Sequence, residues 1–78
     1  MAQENKPTAG IPLRGSMIVY IDGLGQDGRE RYRIAEVTGP TVPDPITGNT
    51  WTGVLLPDKP GVVEMVDCTY IVNVVPPR

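Results

Sequence analysis

The chain has 78 residues, with seven basic and nine acidic side chains and a formal net charge of −2. A domain of this size buries only about 60% of the surface that its unfolded chain exposes, so its core is expected to be small. One cysteine and no histidine exclude an internal disulfide framework, the usual zinc ligand sets and a Ser-His or Cys-His nucleophile pair within one chain. The slightly acidic balance argues against nucleic acid as a partner, because phosphate binding needs a basic field.

The sequence contains no targeting signal and no cofactor motif that its residues support. It lacks an 18-residue apolar run, and its first residues do not follow the basic-then-apolar plan of a signal peptide. We therefore expect a cytoplasmic protein without membrane contact, cofactor or metal. Residues 1–13 are predicted to be a flexible N-terminal tail, because residues 1–10 have little to bury, and residues 14–78 are predicted to form the single domain.

The first confident strand is predicted at residues 16–21, where apolar residues occupy both faces. A glycine-rich loop follows at residues 22–28 and spells Gly-x-Gly-x-x-Gly, the pattern of a dinucleotide-binding turn when a helix follows it. The remaining length is too short for a parallel sheet with two crossover helices, so a plain glycine loop is favoured.

Two further strands are predicted beyond this loop, and both carry candidate binding residues. The strand after residue 28 holds Tyr32, Arg31 and Arg33, where the arginines are either an anion-binding ribbon or, as we favour, a solvated face paired with neighbouring acids. Residues 38–49 are rich in proline and glycine and are predicted to be a long exposed loop. Trp51 lies in the next strand, either as a core residue or as the floor of a binding surface. Gly53 in the same strand indicates either a bend or a close approach.

Residues 61–75 are the longest apolar segment and are predicted to be two strands joined by a tight turn. Their β-branched side chains favour a pleated surface over a helix. Asp67 begins the break between the strands, because its carboxylate can accept a bond from a backbone N–H two residues on and start one helical turn. Glu64 and Asp67 lie three apart in a strand, on opposite faces, and are predicted to be structural rather than a catalytic pair.

The order of these features resembles the small five-stranded barrels of the SH3-like superfamily over roughly residues 14–75, with a single 3₁₀ turn before the last strand. The resemblance implies an all-β fold. The segment Met17 to Asp22 keeps part of the tyrosine-bearing segment of peptide-binding SH3 domains, and with it Tyr20 becomes a candidate binding residue. A second similarity is to the short plasmid-borne dihydrofolate reductases that are insensitive to trimethoprim, through Pro60-Gly61 and the valine at Val63. That similarity implies a homo-oligomer, while the glutamine and tyrosine of their active-site motif are absent.

Two classes of function follow from the sequence. The first is a non-catalytic binding or assembly module that contacts a protein partner or itself, with Trp51, Tyr20, Tyr32, Arg31 and Arg33 as binding residues and no catalytic residue. The alternative is an oligomeric small-barrel enzyme whose site is completed between subunits. Self-association is expected because the strands at residues 16–21 and 70–75 each have two apolar faces, and one set, for instance Ile18 and Tyr20 or Ile71 and Val75, is left for an interface. The competing explanation is that residues 11–13 fold back over one face, which would cover part of this surface.

Overall fold

The computed structural model describes residues 11–77, which form five antiparallel strands in one sheet. The strands are β1 (Met17–Leu24), β2 (Glu30–Pro43), β3 (Thr50–Leu55), β4 (Val63–Asp67) and β5 (Ile71–Val75), and the 3₁₀ turn η1 (Cys68–Tyr70) joins β4 to β5. The predicted all-β class, with five strands and a 3₁₀ turn before the last one, is confirmed. No helix in residues 11–77 is long and apolar enough to cross a bilayer.

The strand order in the sheet is β4-β3-β2-β1-β5, which leaves β4 and β5 as its edges. The sheet is therefore open, and its closure into an SH3-like barrel stays a prediction. The structure does not fit a dinucleotide-binding turn at residues 22–28, because residues 30–43 form a strand where that motif requires a helix.

The β2 strand runs six residues further than the sequence predicts. Residues 38–43 were expected to be loop, yet Thr41 and Val42 pair with Thr52 and Trp51 of β3 after a register shift beyond Val37. The hydroxyls of Thr41 and Thr52 lie 3.2 Å apart within hydrogen-bonding distance, and Thr52 is fully buried. Pairing with β3 thus keeps residues 38–43 extended despite two prolines. Pro40 lies in the stretch where the register shifts, and Pro43 is the last residue of the strand.

The core lies on one face of the sheet and is small, as the length predicts. Its buried apolar residues are Ile18, Tyr20, Ala35, Val37, Val54, Leu56 and Val66, with Ile71 packed against them. The suggestion that Ile18 and Tyr20 face outward is wrong: the outward residues of β1 are Met17, Val19 and Ile21. Because both faces of this strand are apolar in sequence, periodicity alone does not decide which face is inside.

Gly53 of β3 lies close to the backbone of Gly39 in β2. A Cβ at this position would overlap the carbonyl of Gly39 and lie 3.1 Å from Cγ1 of Val63. The close approach that a glycine within a strand indicates is therefore confirmed.

The segment before β1 is joined to the sheet by its turn. Gly15 takes a φ of 91°, which favours glycine, and its N–H donates to the carbonyl of Val37 at 2.8 Å. A Cβ on Gly15 would lie 3.3 Å from Cβ of Pro77, so the turn before β1 and the segment after β5 are neighbours. The part of the predicted tail at residues 1–10 lies outside the described residues, while Pro12 is buried.

Candidate functional site

Three aromatic side chains converge on one cleft at an end of the sheet. Tyr20 of β1, Trp51 of β3 and Tyr70 of η1 line a concavity of about 250 Å³. Trp51 is half-buried and Tyr70 is exposed, while Tyr20 lies in the core. Trp51 is thus neither wholly core nor wholly surface, and its ring forms part of the wall of this cleft.

The position of Tyr70 depends on the cap of η1. The Asp67 carboxylate accepts the backbone N–H of Thr69 at 2.9 Å and its hydroxyl at 2.8 Å, which is the bond to an N–H two residues on that the sequence predicts. The other carboxylate oxygen accepts Nδ2 of Asn49 at 2.9 Å. The turn before β3, the end of β4 and η1 are therefore tied together at the side of the cleft.

Three carboxylates, from Asp22, Glu64 and Asp67, share this cleft, and no basic side chain among residues 11–77 lines it. Burial by itself would raise the pKa of Asp67, but the hydrogen bonds from Thr69 and Asn49 outweigh it and hold the pKa below its ordinary value. Glu64 pairs with Nζ of Lys59 at 3.1 Å. Asp67 is thus an ionised structural group whose lone pairs are engaged, which makes it a poor proton carrier.

The core position of Tyr20 also affects its phenol. Burial raises the pKa of Tyr20 above its ordinary value, and the neighbouring Asp22 carboxylate raises it further while Arg33 opposes the effect. The phenol is therefore a neutral hydrogen-bonding group at physiological pH and not a base.

The remaining predicted binding residues lie elsewhere. Arg31, Tyr32 and Arg33 line a separate shallow depression of about 400 Å³ with Leu56, Pro57 and Asp58, and it shares no lining residue with the aromatic cleft. Nε of Arg33 lies 2.7 Å from Asp22 and its Nη1 lies 3.7 Å from Asp58. Arg33 therefore fits the interpretation of a strand face paired with neighbouring acids. Tyr32 donates its hydroxyl to Glu30 at 3.1 Å.

The structure thus brings Tyr20 and Trp51 into one cleft, and Arg33 lies at the edge of that cleft as the cross-strand neighbour of Tyr20 and the ion-pair partner of Asp22, whereas Arg31 and Tyr32 do not line it. It adds Tyr70, which the sequence did not indicate as a binding residue. The sequence feature that could have indicated Tyr70 is the Asp67 cap, because a carboxylate that starts a single helical turn also fixes the direction of the third residue of that turn. Among residues 11–77, no group of three or more histidine, cysteine, aspartate and glutamate side chains is placed to hold a metal ion.

Comparison with known proteins gives no relative. No protein-family model, no curated protein and no solved structure matches the chain. The SH3-like resemblance therefore stays a prediction from the sequence, and the surfaces of the chain itself are the basis for any functional proposal.

Proposed function

We propose that the chain is a non-catalytic binding module that holds an extended segment of a protein partner in the cleft of Tyr20, Trp51 and Tyr70. The observation that carries the proposal is the convergence of these three rings from three separate elements of the fold. Aromatic rings with one polar tip supply large contact area at a half-wet surface with little loss of side-chain entropy. A cleft of about 250 Å³ suits one or two side chains of a longer ligand better than a whole small molecule.

The charges around the cleft favour a segment that is apolar and carries a basic side chain. Three carboxylates line it, none of the described residues contributes a basic side chain to its walls, and the exposed Met65 adds an adaptable apolar surface. The pairs of Asp22 with Arg33 and of Glu64 with Lys59 reduce the local charge, so the basic residue contributes selectivity more than affinity.

Titration with synthetic peptides followed by Trp51 fluorescence tests this proposal, because Trp51 is the single tryptophan of the chain. The probe is a ten-residue peptide of proline, leucine and arginine, and the comparison is the same peptide with glutamate for arginine. Tyr70→Ala should weaken binding of the first peptide about tenfold or more. Tyr32→Ala is the matched control, since Tyr32 is exposed to a similar extent, 56% against 53% for Tyr70, and lies outside the cleft. Equal effects of the two substitutions, or no saturable fluorescence change, contradict the proposal.

We further propose that the module self-associates through the outer face of β5, β1 and β2. Direct pairing across the sheet places Val19 beside Ile34, Ile21 beside Tyr32 and Met17 beside Val75 on this face. Four of these side chains are exposed and the other two are half-buried. Glu36, opposite Met17, and Asn73, opposite Val19, interrupt this face, but exposed apolar side chains gathered in this way are seldom left in water by soluble monomers.

Sedimentation at micromolar concentration tests the self-association. The unmodified chain should sediment as an oligomer, and Ile34→Glu, at a side chain 55% exposed in the centre of the outer face, should shift it to the monomer. Leu24→Glu is the control, because Leu24 is also exposed but lies at the far end of β1. A folded monomer of the unmodified chain contradicts the proposal.

A further inference from the structure

The edge strand β4 forms one wall of the aromatic cleft. Four of its five residues, 64–67, line the cleft, and in the described sheet β4 pairs with β3 alone. An antiparallel strand directs the backbone N–H and C=O groups of successive residues to opposite sides, so every second residue of an edge strand has no strand to pair with. The hydrogen bonds of the neighbouring strands determine which residues of β4 these are.

The hydrogen bonds of Val37 in β2 set the alternation. Its N–H donates to the carbonyl of Ser16 and its carbonyl accepts the N–H of Gly15, both at 2.8 Å, so its backbone groups point toward the segment that leads into β1. The backbone groups of the preceding residue, Glu36, therefore point toward β3 and pair with those of Leu55. One residue earlier along β3, the backbone groups then point toward β4.

The ladder between β3 and β4 continues this alternation without a register shift. Its hydrogen-bonded pairs are Val54 with Glu64 and Thr52 with Val66. The backbone groups of Val63 and Met65 consequently point away from β3, and no hydrogen bond of the described turns and loops reaches them. Both residues are exposed, so these unpaired groups lie at an open edge of the sheet beside the cleft.

The opposite edge, β5, is less able to accept a strand. The N–H of Val74 donates to the side-chain Oδ1 of Asn73 at 3.0 Å, so one donor of this strand is already engaged by a side chain. Pro76 and Pro77, which have no N–H, follow directly after β5. β4 contains no proline and no bond of this kind, which leaves β4 as the edge that is open to backbone pairing.

We propose that the partner segment binds as an added strand, whose backbone pairs with the N–H and C=O groups of Val63 and Met65 while its alternate side chains enter the aromatic cleft. This inference rests on the proposed function and adds to it the mode of recognition. A second copy of β4 is disfavoured as the occupant, because it would bring the cleft carboxylates of two copies together, whereas an apolar segment with basic side chains meets them with the opposite charge.

Amide hydrogen exchange of the ¹⁵N-labelled full chain tests this mode, with an eight-residue peptide of alternating leucine and arginine as the probe. At saturation, judged by Trp51 fluorescence, exchange of the Val63 and Met65 amides should slow at least about tenfold, because each gains a hydrogen bond. The Val74 amide on the opposite edge should be unaffected.

Two forms of the peptide with N-methyl groups on alternate residues, in opposite phase, separate backbone pairing from contact through side chains alone. One phase removes the N–H groups that face β4 and should weaken binding at least about tenfold, while the other removes those that face solvent and should bind within about twofold of the parent peptide. In the chain itself, Met65→Pro removes one of the proposed donors and should weaken binding, and Val74→Pro on the opposite edge is the matched control.

The inference is overturned if Trp51 fluorescence saturates while the Val63 and Met65 amides stay unprotected, or if both N-methylated peptides bind alike. Either result leaves the proposed function standing, since the cleft would still hold the peptide through its side chains. Protection of Met65 that rises with the concentration of the chain alone would show a second copy at this edge and also overturn it. Absence of any saturable change in Trp51 fluorescence overturns both proposals.

Discussion

Substitution of Asp67 with alanine removes the acceptor of three hydrogen bonds at the junction of β4 and η1. Two of these bonds come from Thr69 and cap the 3₁₀ turn, and the third comes from Asn49 in the turn before β3. Asp67 as a residue is only 7% exposed, so water replaces these bonds poorly. The substitution therefore affects folding stability, independently of any ligand.

The expected loss in the free energy of unfolding is about 2 kcal/mol. Removal of an N-cap costs about 1 kcal/mol, and leaving the Asn49 amide without its acceptor at a partly buried site adds about 1 kcal/mol. A core of this size rarely supplies more than roughly 3–5 kcal/mol, so the variant loses about half of the total. In a domain of this length the corresponding fall in Tm is about 8–16 °C.

Thermal and urea unfolding of the unmodified chain, Asp67→Ala and Asp67→Asn measures this loss. The asparagine variant keeps an oxygen for Thr69 but presents an amide to Asn49, so we expect a loss of about 1 kcal/mol. Asp58→Ala is the control, because the Asp58 carboxylate is exposed and 3.7 Å from Arg33, and surface ion pairs of this kind contribute little.

The effect should depend on pH with a defined sign. The pKa of Asp67 is lowered in the folded state from an ordinary value of 3.8, so the folded state prefers the ionised form. The stabilisation is fully present above the ordinary pKa and is lost as the pH falls through the lower, folded-state value. The stability difference between the unmodified chain and Asp67→Asn should accordingly be constant between about pH 5 and 7 and shrink below about pH 4. A loss below about 0.5 kcal/mol for Asp67→Ala, or a difference that does not shrink in acid, refutes this account of the junction.

Three further outcomes are expected. Gly53→Ala should lower the free energy of unfolding, measured by urea titration, by about 2–3 kcal/mol, because the new Cβ meets the backbone of Gly39. Gly25→Ala is the control: its Cβ first meets a side-chain oxygen, so the variant should lose less than about 1 kcal/mol. Cys68 should react with iodoacetamide more slowly than a free thiol at pH 7 and faster at higher pH, since its pKa is raised. A fast reaction at pH 7 contradicts its half-buried placement. Ser16→Ala should leave the free energy of unfolding unchanged or raise it, because the hydroxyl that is removed has no hydrogen-bond partner among the described residues. A decrease of more than about 1 kcal/mol in urea titration contradicts this prediction.

The predictions from the sequence succeeded where one local rule decided the structure. The β-branched run and the Asp67 carboxylate place β4, η1 and β5 within one or two residues, because strand preference and a local side-chain bond act without help from the rest of the chain. Trp51 and Gly53 lie on β3 as predicted, and the close approach at Gly53 follows from the absence of a Cβ.

The failures occur where partners distant in sequence decide the outcome. Prolines at positions 40 and 43 suggested a loop, yet pairing with β3 extends β2 to Pro43. The inward face of β1 was also undetermined, because apolar residues occupy both faces and only the position of β5 and β2 selects one. The same holds for the binding residues: Tyr70 joins the cleft through the relative placement of η1, β1 and β3, which no spacing in the sequence encodes.

The contact between Gly15 and Pro77 has a consequence for how the chain can be rewired. Gly15, just before β1, lies beside the ring of Pro77, just after β5, so a chain rejoined between these two positions would not have to cross the sheet. The exposed turn at residues 45–48 offers a place to open the chain, since no ladder bond of the sheet passes through it. A circular permutant of this kind would retain all five strands and the Asp67 cap while moving the new chain ends to the Asn49 side of the molecule.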